Sequence, residues 1–156
     1  MWTELAGIVV GIAGLGLAVF TAWLQRRHNF QSLRPLAQIR FWDYEDCVAV
    51  RVANDGLGPL IMRRFDASDG THHKANLIDW MPPHPTGMLW DTYYEELSGV
   101  TVLPGHEVVV LKLEQGETDP QAFSDFRAQV RVALAPLSVQ VDYSDVYNRA
   151  QSPATR

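Results

Sequence analysis

One uncharged run near the N-terminus constrains this chain more than any other feature. Residues 5–24 read LAGIVVGIAGLGLAVFTAWL and include no Asp, Glu, Lys or Arg. A helix rises 1.5 Å per residue, so roughly 20 residues cover about 30 Å, the thickness of the hydrocarbon core of a bilayer. The sequence therefore predicts an N-terminal transmembrane helix in contact with the lipid bilayer.

The flanks of this run favour a retained anchor over a cleaved signal peptide. A signal peptide has a basic leading segment and a shorter apolar core, whereas here Glu4 precedes the run and Arg26 and Arg27 follow it. We predict an anchor at residues 1–27 and a linker at 28–34. Positive charge stays on the cytoplasmic side, which predicts a single-pass protein of the inner (plasma) membrane with a cytoplasmic domain. The lone Cys47 fits a reducing compartment.

Small residues recur along the apolar run every three or four positions and would share one helical stripe. They allow helix backbones to approach closely, which predicts a homo-oligomer formed through the helix. The alternative is that glycine and alanine are simply common in membrane helices. The stripe consists of Gly7, Gly11, Gly14, Ala18 and Ala22.

Beyond residue 34 the apolar residues alternate with polar ones, a pattern typical of half-buried β-strands. Strands are predicted at residues 36–42, 47–53, 60–67, 99–102, 107–113, 127–133 and 138–143. About seven short strands separated by turns predict a mainly β fold, an immunoglobulin-like antiparallel β-sandwich over residues 35–148. Residues 149–156 are predicted to form a flexible tail.

The segment VANDGLGPL interrupts this alternation. Asn and Gly tolerate the positive φ angles of tight turns, and a proline without an N–H belongs at a strand start or an edge. Neither phosphate-binding glycine pattern is present. The segment therefore predicts a structural turn made by Asn54, Asp55, Gly56, Gly58 and Pro59.

Two motifs carry a resemblance to known modules. NDGLGPL at 54–60 and LPGHEVVVLKL at 103–113 resemble the N-x-G-x-G-x-A and L-x-P-G-E patterns of immunoglobulin-like bacterial modules such as the cell-adhesion-related domain. Together with Arg34-Pro35 and DYSDVYN at 142–148, they resemble uncharacterised bacterial single-span membrane proteins with an N-x-G-x-G-P-A turn. Leu60 replaces the small Ala of that pattern, and Asn148 stands where Gly is usual. The resemblance implies a fold and an anchor, and no established reaction.

Catalytic patterns are sparse. Asp66, Asp69, His72 and His73 fall close together, but neighbouring histidines on a strand face opposite sides. We predict a polar turn there, with no metal and no cofactor. Cys47 has no signature that pairs it with a histidine and is predicted to be a small buried residue. The net charge of −5 argues against general nucleic-acid binding, and we predict that the protein is not an enzyme.

Residues 76–97 combine aromatic side chains, methionines and three prolines. One interpretation is a cover over an open end of the sandwich, with a short helix near 88–97. The other is a surface for a protein partner, because aromatic and Met side chains are enriched at interfaces. The predicted partner-binding residues are Trp80, Met81, Trp90, Tyr93 and Tyr94.

These features predict a membrane-anchored, non-enzymatic interaction module. An alternative is a ligand-sensing oligomeric membrane effector that signals through its helix. A hydrolase is a third hypothesis, supported only by the scattered histidines.

Overall fold

The chain divides after Arg34 into two units, each described here by itself. The computed structural model describes residues 2–156, apart from the side chains of residues 2–5, 8–10 and 29–32. The first unit is helix α1 (Trp2–Ser32). It ends shortly before Pro35, because a proline disfavours the helical conformation in the residue before it.

The structure corrects the prediction of a transmembrane anchor. Crossing a bilayer takes about 20 consecutive, predominantly apolar residues. In the part of the chain that the structure describes, no helix has the length and apolar character needed to cross a membrane. The prediction of a single-pass membrane protein, and the orientation inferred from it, lose their basis.

The second unit holds two antiparallel sheets, a single 3-10 turn and a second helix. In chain order the elements are β1 (Ala37–Asp43), β2 (Cys47–Asn54), β3 (Leu60–Ser68), β4 (His73–Lys74), the 3-10 turn (Ile78–Trp80), β5 (Thr92–Tyr93), β6 (Thr101–Val102), β7 (Glu107–Glu114), α2 (Pro120–Leu134), β8 (Ser138–Ser144) and β9 (Ala154–Thr155). One sheet has the order β1-β2-β7-β5 and the other β4-β3-β8-β9, with β6 also paired to β3.

Alternating apolar residues explain the long strands. Val50 and Val52 of β2, Phe65 of β3 and Leu111 of β7 are buried in one core cluster. The other face of β2 is covered as well, because Trp42 of β1 lies directly opposite Ala49. The guanidinium of Arg51 stacks on the Trp42 ring, 3.4 Å from its centroid. The sheets thus share one core, and β2 lies at its centre.

The prediction of a strand at residues 127–133 is wrong, because these residues belong to α2. Asp119 caps the helix by accepting a hydrogen bond from the Ala122 N–H (2.9 Å), and Pro120 occupies the first turn. The buried residues recur at helical spacing as Phe123, Phe126, Val130 and Leu134. Val132, which a strand would have placed beside Val130, is 74% exposed.

The fold is therefore a mixed helix-and-sheet fold rather than the mainly β, seven-stranded immunoglobulin-like sandwich predicted from the sequence. A 15-residue helix links β7 to β8, and several of the strands have only two residues. Residues 149–156, predicted as a flexible tail, contribute β9, which pairs with β8.

Candidate functional site

The turn after β2 is organised by the side chain of Asn54, which is fully buried. Its Oδ1 accepts hydrogen bonds from the N–H groups of Leu36 (3.2 Å) and Gly56 (3.0 Å). Its Nδ2 donates to the carbonyl oxygens of Gly58 (2.8 Å) and Val102 (2.9 Å). A single amide thus uses all its bonding capacity to join three segments of backbone.

Two other residues of the predicted structural turn, Asp55 and Pro59, contact or adjoin neighbouring strands. The carboxylate of Asp55 accepts from Nη2 of Arg40 (2.7 Å), and Pro59 directly precedes β3. Positive φ angles, however, occur elsewhere in the described chain: at Asn148 and at Gly70, Gly87, Gly99, Gly105 and Gly116. At Gly56 and Gly58 the reversal is held by hydrogen bonds to the Asn54 side chain, from the Gly56 N–H and to the Gly58 carbonyl.

The acidic and histidine residues at the end of β3 and the start of β4 belong to the hairpin that these two strands form. Nδ1 of His73 is 2.7 Å from Oδ2 of Asp66, and Nδ1 of His72 is 3.3 Å from Oδ2 of Asp69. Asp69 also accepts from two backbone N–H groups, which lower its pKa to about 2. The two histidines thus pair with two different carboxylates.

A third contact extends one of these pairs. Oγ of Ser68 lies 3.5 Å from Nε2 of His73, a long contact on an exposed hairpin. Cys47 lies apart from this hairpin, at the start of β2, where burial raises the pKa of its thiol. The prediction that Cys47 is a small buried residue is confirmed.

The small-residue stripe leaves its side of helix α1 open. A Cβ added at Gly7, Gly11 or Gly14 would meet nothing within 4 Å, and Ala18 and Ala22 are exposed. Large apolar side chains of the same helix are also exposed: Ile12, Leu15, Leu17, Val19, Phe20, Trp23 and Leu24. The helix thus presents apolar surface on several faces.

The loop over residues 76–97 is fixed to the core at three points, through the buried side chains of Leu77, Met88 and Leu97. Between them the loop is extended and turned. Met88 N–H donates to the carbonyl of Pro85 (3.1 Å), and Gly87 has a φ of 86° at the third position of that turn. The predicted helix near 88–97 is wrong, because this stretch contains β5 paired to β7.

Two clefts lie on either side of Leu89 and Trp90, which line both. We call the first, of about 510 Å³, the proline cleft; its other walls include Met81, Pro82 and Tyr93. We call the second, of about 400 Å³, the glycine cleft; its other walls are formed by Gly87, Asp91 and residues 114–118.

Leu89 stands between two residues that hold it in place. Met88 is buried, and the ring of Trp90 packs edge-on against Phe126 of α2, with centroids 6.0 Å apart. Leu89 itself is 75% exposed. We call the pair Leu89 and Trp90 the ridge; it places an apolar side chain in solvent on a base that packs against the core.

The structure brings only part of the predicted partner-binding set together. Met81, Trp90 and Tyr93 line the proline cleft. Trp80 is half-buried beneath the ammonium of Lys74, 4.7 Å from the ring centroid. Tyr94 lines neither cleft, and its N–H donates to the carbonyl of Val110 (3.0 Å).

Sequence reasoning missed Leu89, the most exposed member of this surface. In the extended segment MLW, alternate side chains point to opposite sides, so the inward Met88 and Trp90 leave Leu89 outward. That alternation was the available signal, and the expected helix at 88–97 obscured it.

Comparison with protein-family models finds no match, and comparison with curated proteins finds none either. The resemblance to immunoglobulin-like bacterial modules therefore stays a prediction based on turn motifs.

Proposed function

We propose that this protein is a non-enzymatic interaction module whose ridge and flanking clefts bind an extended peptide segment of a protein partner. The observation that carries the proposal is the exposure of Leu89 on a base fixed by Met88 and Trp90. An exposed apolar side chain in a rigid setting loses little conformational entropy on binding. A few central residues, most often Trp, Tyr or Arg, dominate the binding energy of many interfaces, and Trp90 lies directly beside Leu89 on this surface.

The surroundings of the ridge support a peptide ligand. Prolines and aromatic rings line the proline cleft, and such surfaces accept extended chains. Each cleft has a volume of several hundred Å³, in the range typical of small-ligand pockets and sufficient for side chains. An extended segment crossing the ridge can place one side chain in each cleft.

Selection from a random peptide library displayed on phage tests this proposal. The intact chain is the bait, and selected peptides are synthesised and titrated by fluorescence anisotropy. We expect Leu89→Ala to weaken binding about 10-fold, equivalent to about 1.4 kcal/mol, without lowering the melting temperature. Val132→Ala is the matched control, because Val132 is equally exposed (74%) and lies on α2. If no selected peptide is sensitive to Leu89→Ala, the proposal is refuted.

Self-association through α1 is a second candidate, favoured by the exposed apolar side chains of that helix. Glycines permit close approach of two helices. We expect sedimentation equilibrium to show an oligomer that the double change Gly11→Leu, Gly14→Leu disrupts. Gly16→Leu is the control, because Gly16 lies on the opposite side of the helix from the stripe. Equal masses for all three proteins would mean that the stripe reflects composition alone.

A further inference from the structure

Carboxylates surround the ridge on both sides. Asp79 and Glu95 line the proline cleft. Asp91, Glu114 and Glu117 line the glycine cleft. Neither lining includes a lysine or an arginine.

In the glycine cleft, Lys112 offsets part of this charge. The ammonium of Lys112 lies 3.2 Å from Oδ2 of Asp91 and also pairs with Glu114. Hydrogen bonds to these two carboxylates raise the pKa of Lys112, so it stays charged and occupied between them. Lys112 therefore neutralises carboxylates of the glycine cleft and does not pair with those of the proline cleft.

The remaining carboxylates lack such partners. Among the residues that the structure describes, no ion pair forms to Asp79, Glu95 or Glu117. The side chain of Lys74 approaches Asp79 only through its backbone carbonyl, to which Nζ donates (2.6 Å). A ligand that brings positive charge to either cleft thus gains attraction without first breaking an ion pair.

We propose that the peptide bound at the ridge carries a lysine or arginine on each side of an apolar residue. This inference rests on the proposed function and adds the chemistry of the partner. The apolar residue packs on Leu89, and the flanking cations face the carboxylates of the two clefts. Basic residues also suit the ring faces of Trp90 and Tyr93, which attract cations.

The carboxylates of the two clefts also repel acidic residues of a partner. Like charges brought together at an interface raise the free energy of the wrong complex, which is a common basis of specificity. The carboxylates are solvent-exposed, so salt screens their attraction within about 10 Å at 0.1 M. The preference should therefore weaken as ionic strength rises.

The peptides selected above supply the test, because the random starting library favours no charge. We expect them to be enriched in Lys and Arg relative to the starting library. Replacing those residues with Gln should weaken binding about 10-fold at 20 mM salt, and less at 300 mM.

Two protein variants test whether the carboxylates of the clefts cause this preference for basic peptides. Glu95→Gln and Glu117→Gln remove one carboxylate from each cleft and should each weaken binding of the basic peptide about 3-fold. Both should leave the corresponding Gln peptide unaffected. Glu96→Gln is the control, since it removes the same charge at the next position and Glu96 lines neither cleft.

The outcomes separate the two proposals. Selected peptides that depend on Leu89 but are neutral or acidic would overturn the inference and leave the binding module standing. Basic peptides insensitive to Glu95→Gln and Glu117→Gln would also overturn it. A selection that yields no Leu89-dependent peptide would overturn both.

Discussion

The side chain of Asn54 is expected to be the most sensitive polar group of the fold. Asn54→Ala removes four hydrogen bonds at once from a fully buried position. The two bonds from Nδ2 are buried, so their loss removes a donor from the carbonyls of Gly58 and Val102 in the interior. A buried polar group that loses a hydrogen bond costs about 1–3 kcal/mol. The N–H groups of Leu36 and Gly56 are only half-buried, so they can form hydrogen bonds to water instead. The expected loss is about 2–4 kcal/mol.

Asn54→Asp provides a sharper test of the same geometry. It preserves shape and the acceptor at Oδ1, but it replaces the donating Nδ2 with an oxygen that faces two carbonyl oxygens 2.8 and 2.9 Å away. We expect Asn54→Asp to destabilise at least as much as Asn54→Ala. A model in which Asn54 merely fills space predicts instead that Asp is tolerated.

Urea unfolding of the intact chain, followed by tryptophan fluorescence, measures both losses. The denaturant slope should stay constant while the midpoint falls. Gln38→Ala is the control, because Gln38 is an exposed amide on β1 and its removal should change the unfolding free energy by less than about 0.5 kcal/mol. A loss below about 1 kcal/mol for Asn54→Ala, or a tolerated Asn54→Asp, would refute the reasoning.

Two further predictions concern the backbone and pH. Gly105→Ala should destabilise the protein by about 1–2 kcal/mol in thermal unfolding, because Gly105 has a φ of 72°; Gly16→Ala, in α1 where a Cβ meets nothing, should not destabilise it. The pKa of Asp69 is lowered from 3.8 to about 2, so protonation favours the unfolded hairpin: its contribution to stability is complete above pH 4 and is lost as the pH falls towards 2. NMR titration of the Asp69 carboxyl carbon checks this, and a midpoint near 3.8 would contradict it.

Several elements follow directly from local sequence. The alternation in CVAVRVAN predicts β2 at 47–53, and β2 is Cys47–Asn54. The strands predicted at 60–67 and 138–143 correspond to β3 and β8 in the same way. Alternation works because successive side chains of a strand point to opposite faces, a property of the residues themselves. Helix α1 likewise follows from a long run without proline.

Tertiary structure decided what local pattern left ambiguous. The pattern of apolar residues in FRAQVRVAL is compatible with a strand and with a helix. The helix forms because Phe123, Phe126 and Val130 can be buried together only at helical spacing. Asn54 reads locally as a turn residue, yet its partner Val102 lies 48 residues away. Leu89 is exposed because its neighbours Met88 and Trp90 pack against the core, which leaves the side chain between them facing solvent. Local alternation sets which way a side chain can point, but only packing against distant segments determines whether that direction leads to the core or to solvent.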